Sequence, residues 1–136
     1  MKSNYVLDTS AILAFLEDER GADIVSELLE KAEQGEHKIF ISFVTFTEIF
    51  YISIQEQEEP IAEERIKQLE MFPFSRIESN PAMSITAGRL KARNRLSFAD
   101  AWIAALAIEK NAKLVHKDPE FEVLQGQIEM IKLPYK

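Results

Sequence analysis

The stretch Tyr5-Val6-Leu7-Asp8-Thr9-Ser10-Ala11-Ile12-Leu13-Ala14-Phe15-Leu16 predicts a short strand that ends at an acid and continues directly into a helix. In open α/β sheets, ligands bind at such junctions, beyond the carboxyl ends of the strands. Asp8 also fits a purely structural role, because Asp before a helix accepts hydrogen bonds from its first amides. The stretch therefore favours an α/β fold and makes Asp8 a candidate site residue.

The same alternation of strands and helices continues along the whole sequence. Strands are predicted at residues 4–8, 38–42, 74–78, 113–116 and 128–132, and helices at 10–17, 21–34, 43–57, 60–70, 81–94 and 98–111. This order predicts an α/β/α arrangement in which helices flank a short, mainly parallel central sheet. With 136 residues, no internal repeat and no linker, residues 1–136 are expected to form one domain.

Three further acids stand in apolar surroundings. Glu48 lies within the predicted helix 43–57, Asp100 lies near the start of another helix, and Asp118 follows a strand. The apolar segments that hold Asp8, Glu48 and Asp100 contain no Lys or Arg. Carboxylates in such segments must be protonated, reach a distant cation, or share a metal ion. Several acids at one edge of a parallel sheet favour a metal, and oxygen ligands suit Mg²⁺ or Mn²⁺.

Structural interpretations compete for some of these acids. Asp100 follows Ser97 at the spacing of a helix capping box, and Asp118 precedes a proline, as in a turn or a helix start. Glu48 has mostly apolar neighbours three and four residues away, so it is solvated only if that helix face points outward. The coincidence of four acids near strand ends favours a shared site.

The bulk composition limits the class of protein. The net charge of −7 is unusual for a nucleic-acid binder, although bound divalent cations could offset it locally. With no cysteine and only two histidines, His37 and His116, the sequence offers few of the ligands that zinc prefers. His37 is expected in a surface loop, and His116 on a strand. No apolar run approaches the ~18 residues that span a bilayer, and Asp8 interrupts any signal peptide, so a cytoplasmic protein is expected.

Four cations crowd the end of the predicted helix 81–94: Arg89, Lys91, Arg93 and Arg95. They predict either a rim that binds phosphate groups or a helix end whose cations offset the helix dipole. Large apolar side chains in helix 43–57 are expected to fill the core or an interface: Phe46, Phe50, Tyr51 and Ile54.

The four acidic segments, in this order, resemble the PIN-domain nucleases, particularly the single-domain VapC-type toxins of prokaryotic toxin–antitoxin pairs. The matching segments are Val6-Leu7-Asp8-Thr9-Ser10, Ile41-Ser42-Phe43-Val44-Thr45-Phe46-Thr47-Glu48-Ile49, Leu96-Ser97-Phe98-Ala99-Asp100-Ala101-Trp102-Ile103-Ala104-Ala105 and Leu114-Val115-His116-Lys117-Asp118. The resemblance implies a PIN-like α/β/α sandwich and an endoribonuclease. The acids that would bind Mg²⁺ or Mn²⁺ are Asp8, Glu48, Asp100 and Asp118. His116 departs from the family, which often has Thr or Ser there.

The resemblance also implies supporting groups and partners. Ser10 or Thr9 would be the hydroxyl beside Asp8. From the residues themselves, Ser97 is a further candidate supporting hydroxyl, and the candidate RNA-binding residues are Arg89, Lys91, Arg93 and Arg95. A homodimer and a cognate antitoxin that covers the active site are further expectations. Two other functions stay open: a non-catalytic PIN-like module that binds RNA or protein, and a stand-alone nuclease for ribosomal-RNA processing or structured DNA.

Overall fold

The computed structural model describes residues 3–135 and contains one parallel sheet in that part of the chain. Its strands are β1 (Ser3–Leu7), β2 (His37–Ser42), β3 (Ser75–Ile77), β4 (Lys113–His116) and β5 (Met130–Lys132). Their order across the sheet is β3-β2-β1-β4-β5, and all four pairings are parallel. The central strand β1 pairs Val6 with Phe40 on one side and with Leu114 on the other.

The helices connect these strands in the predicted order. They are α1 (Thr9–Leu16), α2 (Ala22–Glu33), α3 (Phe43–Glu56), α4 (Glu59–Glu70), α5 (Pro81–Arg93) and α6 (Phe98–Glu109). A 3₁₀ helix, Pro119–Leu124, follows β4 at a point where the sequence suggested a turn or a helix start. Pro60 and Pro81 lie in the first turns of α4 and α5, where a missing backbone N–H costs nothing.

Hydrophobic cores lie on both faces of the sheet. Consecutive residues of β1 point to opposite faces, so Val6 packs with α5, α6 and the 3₁₀ helix, whereas Leu7 packs with α1, α2 and α3. Both side chains are fully buried. The predicted α/β/α sandwich with a short parallel central sheet is therefore confirmed.

A partly buried ion pair joins the helices on one side of the sheet. Arg65 of α4 contacts Glu17, just after α1, at 3.2 Å and donates to the Ser53 hydroxyl of α3 at 2.9 Å. The contact fixes α1 and α3 relative to each other, and these helices carry two of the predicted site segments.

One expectation for an individual side chain is wrong. His37 lies in β2 rather than in a surface loop, and its half-buried ring packs edge-on against Tyr5 at 4.9 Å. In helix α3, Phe46 fills the core as expected, whereas Tyr51 is 44% exposed, so for Tyr51 the interface stays a prediction.

Within residues 3–135, the helices are too short or too polar to traverse a lipid bilayer.

Candidate metal centre

The topology brings four segments to one edge of the sheet. Asp8 lies between β1 and α1, and Asp118 lies between β4 and the 3₁₀ helix. Helices α3 and α6 also begin at this edge, since α3 follows β2 directly and α6 runs back along the sheet before β4. The carboxyl edge of a parallel sheet is the usual position of a ligand site.

Hydrogen bonds to backbone amides hold three of these segments in place. The Asp8 carboxylate accepts from the backbone N–H of Ala11 at 2.7 Å, and the Asp118 carboxylate accepts from that of Glu120 at 2.9 Å. The Ser97 hydroxyl accepts from the backbone N–H of Asp100 at 3.1 Å. Asp8, Ser97 and Asp118 are therefore helix caps, although the capping box is incomplete because the Ser97 backbone N–H donates to Glu120 rather than to Asp100. The caps at Asp8 and Asp118 also orient these two carboxylates at the edge of the sheet.

Three carboxylates form the centre of the site. One oxygen from each of Asp100, Asp118 and Glu120 lies within 4.8 Å of the others. The Asp100 and Glu120 carboxyl groups are close enough to share a hydrogen bond when one of them carries a proton. Burial raises the pKa of Asp100 to about 9, aided by this bond and by the charges of Glu120, Asp118 and Asp8.

Asp8 lies beside this group and is almost fully buried. Burial raises its pKa to about 7, and the charge of Asp118 adds to this, although the Ser10 hydroxyl and the Ala11 amide oppose the shift. The Ser10 hydroxyl lies 2.7 Å from Asp8 Oδ2 and accepts from the backbone N–H of Lys117 at 2.8 Å. Ser10 thereby ties Asp8 to the end of β4.

Glu48 is held by a hydroxyl group near the three-carboxylate centre but does not belong to it. The Thr9 hydroxyl donates to Glu48 Oε1 at 2.5 Å, and Tyr51 lies near enough for the charge of Glu48 to affect its hydroxyl. Partial burial and the charges of Glu48 and Asp100 raise the pKa of Tyr51. Thr9 and Ser10 thus support different acids, Glu48 and Asp8 respectively.

The donor set suits a hard divalent cation. Among residues 3–135, the ion pairs join Lys31 to Glu27, Arg65 to Glu17, Arg76 to Glu78 and Lys117 to Glu19, so none neutralises the acids of this site. Oxygen ligands that carry excess negative charge and lack a cationic partner fit Mg²⁺ or Mn²⁺ better than zinc.

His116 supports the site from behind. Its buried Nδ1 accepts from the backbone N–H of Asp118 at 3.2 Å, and its ring packs against Phe121 at 5.3 Å. Burial lowers the pKa of His116, which favours the neutral ring that this hydrogen bond requires. An imidazole nitrogen therefore holds the amide of Asp118 at the position where a hydroxyl was expected.

Two residues of the site were not predicted from the sequence. Glu120 was not considered, although it lies two residues after Asp118, and Tyr51 was interpreted only as a core or interface residue. The signal for Glu120 was the Asp-Pro-Glu order at a helix start, which places both acids in one turn. The signal for Tyr51 was its position three residues after Glu48, on the same face of α3.

The four predicted cations lie beside this edge. Arg89, Lys91 and Arg93 are exposed on α5, and Arg95 is exposed in the four-residue connection to α6. Lys91 Nζ donates to the carbonyl of Leu96 at 2.9 Å. None of these cations takes part in the ion pairs found among residues 3–135.

Comparisons with known proteins show similarity over most of the chain. The family model of the PIN domain matches residues 5–127. A chain in the crystal structure of VapBC2 from Rickettsia felis, bound to a DNA fragment from their promoter, superposes with a TM-score of 0.77 at 18% identity, covering 96% of this chain and 99% of that one. VapBC-1 from nontypeable Haemophilus influenzae gives 0.72 at 20% identity, covering 95% and 97%. A toxin-antitoxin complex from Klebsiella pneumoniae gives 0.66 at 19% identity, covering 97% and 99%. A comparison with curated proteins gave no match.

Proposed function

The chain belongs to the PIN domain family, and from this premise we propose that it is a Mg²⁺- or Mn²⁺-dependent endoribonuclease, the toxin of a type II toxin–antitoxin pair. The observation that carries the proposal is the group of Asp100, Asp118 and Glu120, with Asp8 adjacent, at the carboxyl edge of the sheet, without a neutralising Lys or Arg among the described residues.

The cation would be held by Asp8, Asp100 and Asp118 together with Glu120. When bound, Mg²⁺ or Mn²⁺ supplies Lewis-acid stabilisation of charge on the attacked phosphate and makes water more acidic. Both carboxylates would have to be ionised to hold the cation, so its binding would require Asp100 to give up the proton that its raised pKa favours in the metal-free protein.

Glu48 has a separate task in this proposal. The Thr9 hydroxyl donates to its Oε1 and restricts its orientation. A carboxylate fixed in this way completes the ligand set or orients the attacking water by accepting its hydrogen. Direct attack of water on the phosphodiester leaves a 5′-phosphate and a 3′-hydroxyl.

The exposed cations Arg89, Lys91, Arg93 and Arg95 would contact phosphates of the RNA on either side of the cleaved bond. Single-stranded loops are the favoured substrates, because their backbone can bend into a pocket at a sheet edge.

The antitoxin partner is proposed because solved VapBC and toxin-antitoxin complexes share this fold. An acidic pocket suits a basic segment of such a partner. A homodimer, a single domain over residues 1–136 and a cytoplasmic location remain predictions.

The test of the proposed activity is cleavage of single-stranded RNA by the full chain. We expect cleavage with Mg²⁺ or Mn²⁺ and none in EDTA, because the oxygen ligands alone provide no strong Lewis acid. Product ends are identified by their response to phosphatase and to RNA ligase. If the protein binds Mn²⁺ but cuts no RNA, it is a non-catalytic module; if it cuts equally well in EDTA, the metal assignment is wrong.

The raised pKa values of two site acids predict that the stability of the metal-free protein depends on pH. Without metal, Asp8 and Asp100 have pKa values of about 7 and about 9, against an ordinary value of 3.8. From about pH 4 upward the unfolded chain releases these protons before the folded protein does, so the unfolding free energy falls as pH rises towards each folded pKa. We therefore expect the Tm in EDTA to be lower at pH 8 than at pH 5.

Added Mn²⁺ should reverse this loss at pH 8. A concentration of about 100 times Kd stabilises by about 2.7 kcal/mol, or roughly 10 °C in Tm, and the gain should be much smaller at pH 5, where protons compete. Glu120→Gln should reduce the gain, whereas Asp23→Asn, an exposed acid in α2, should not. Calorimetry measures both effects. Equal gains at the two pH values would contradict the assignment of these acids.

A further inference from the structure

The charge of the chain is distributed unevenly. Residues 79–99, which include α5 and its connection to α6, contain four Lys and Arg residues and no Asp or Glu, whereas the other 115 residues contain 12 and 23 respectively. This segment is therefore the part of an acidic protein that suits a polyanion. Its basic end lies at the carboxyl edge of the sheet, because α6 begins only a few residues later.

An exposed aromatic side chain follows this segment directly. Phe98, the first residue of α6, leaves 67% of its side chain in water. Its ring contacts Trp102 one turn later at 6.4 Å, and Trp102 packs edge-on against Phe43 at 5.2 Å. These three rings form the aromatic row. The row holds its outermost ring, that of Phe98, in place and leaves most of that ring open to a ligand. A ring held in this way loses little conformational freedom on binding.

A shallow apolar groove lies next to Phe98, between α5 and α6. It has a volume of about 260 Å³ and is lined by Ser84, Ala87, Gly88, Lys91, Phe98 and Trp102, together with Ala101. A methyl group at Gly88 would meet no atom within 4 Å, so the groove is open at that point. Its walls thus combine flat apolar surface with one cation, Lys91.

The aromatic row also lies close to the acids. The backbone N–H of Ser97, which precedes Phe98, donates to Glu120, one of the three central acids. Phe98 and Asp100 both lie in the first turn of α6, but their side chains leave the helix on nearly opposite sides. A strand with a phosphate at the acids would therefore have to pass around the end of α6 to place a neighbouring base on Phe98.

We propose that Phe98 is a stacking site for a nucleobase of single-stranded RNA, with Lys91 and Arg95 contacting the adjoining phosphates. This inference rests on the proposed ribonuclease function and adds the residue that holds a base beside the cleaved bond. Cations next to an exposed aromatic ring are the usual means of binding single strands, since each base offers a flat face and each nucleotide a charge. A purely apolar partner would leave the exposed cations without a counter-charge.

The test compares RNA binding by the full chain and its Phe98→Ala variant. A labelled oligouridine and an abasic oligoribonucleotide of equal length are titrated in EDTA at low salt, where hydrolysis is suppressed, and binding is read by fluorescence anisotropy. Phe98→Ala should weaken oligouridine binding by about tenfold, the size of one lost stacking contact, but change abasic binding less than about twofold. Phe98→Tyr should restore most of the affinity.

Ile85→Ala provides the matched control, since Ile85 is 57% exposed on α5 within the same acid-free segment but is not aromatic. It should bind both oligomers like the wild type. Unchanged oligouridine binding by Phe98→Ala would overturn the stacking site and leave the ribonuclease proposal intact. Equal losses of affinity for both oligomers would also overturn the stacking site. So would unchanged affinity together with a smaller mass of the Phe98→Ala variant in sedimentation, because the ring would then serve self-association. If the wild type binds neither oligomer, the stacking site is overturned, whereas the ribonuclease proposal is decided separately by the cleavage test with Mg²⁺ or Mn²⁺.

Discussion

Asp100→Asn is expected to lower the rate of RNA cleavage by about 10³-fold, which corresponds to several kcal/mol of lost transition-state stabilisation. The amide has the shape of the carboxyl group but lacks the negative charge that a divalent cation requires. Asp100 stands at the centre of the three-carboxylate group and interacts with Glu120, Asp118 and Asp8, so its loss affects every neighbouring ligand. The measurement is the single-turnover rate with saturating Mg²⁺.

The same variant should remain folded, which separates chemistry from stability. The pKa of Asp100 without metal is about 9, so at pH 8 in EDTA its carboxyl group is mostly protonated. The Asn amide can donate to Glu120 as that protonated group does, and the Tm should not fall. Asp23→Asn, the same change at an exposed position of α2, should leave the rate unaltered. A rate for Asp100→Asn within about tenfold of the wild type would remove Asp100 from the proposed site.

Phe121→Ala is expected to reduce the free energy of unfolding by about 3–5 kcal/mol. Phe121 is fully buried in the core between the sheet, α6 and the 3₁₀ helix, and its ring packs against His116. The smaller side chain leaves a cavity that the surrounding core fills only in part. A loss of this size is a large part of the 5–15 kcal/mol that is typical of a domain.

Val123→Ala is the control for this prediction. Val123 lies in the same 3₁₀ helix but is 45% exposed, so its truncation should cost no more than about 0.5 kcal/mol. Urea unfolding followed by circular dichroism gives both free energies in the same buffer. Equal midpoints for the two variants would show that the 3₁₀ helix is not anchored through Phe121.

The layered fold was largely predictable from local patterns. Apolar segments such as Tyr5–Leu7 and Leu114–Val115 are short, and each is joined to the next by a helix, which requires parallel strands with helices on both faces. The helix bounds follow from prolines, caps and glycines, and they agree with the structure within about two residues. At Asp118 the sequence suggested only a turn or a helix start and did not predict a 3₁₀ helix, because six residues are too few for a periodic signal.

The sequence by itself determined which strand ends carry acids, because the order of strands and helices decides which residues reach the carboxyl edge. Only the tertiary structure decided that Glu120 joins Asp100 and Asp118, since that contact depends on how the 3₁₀ helix packs against the start of α6. The tertiary structure also assigned Thr9 to Glu48 and Ser10 to Asp8. The sequence does not show which acid each of two adjacent hydroxyl groups contacts, because that depends on how the folded chain orients their side chains.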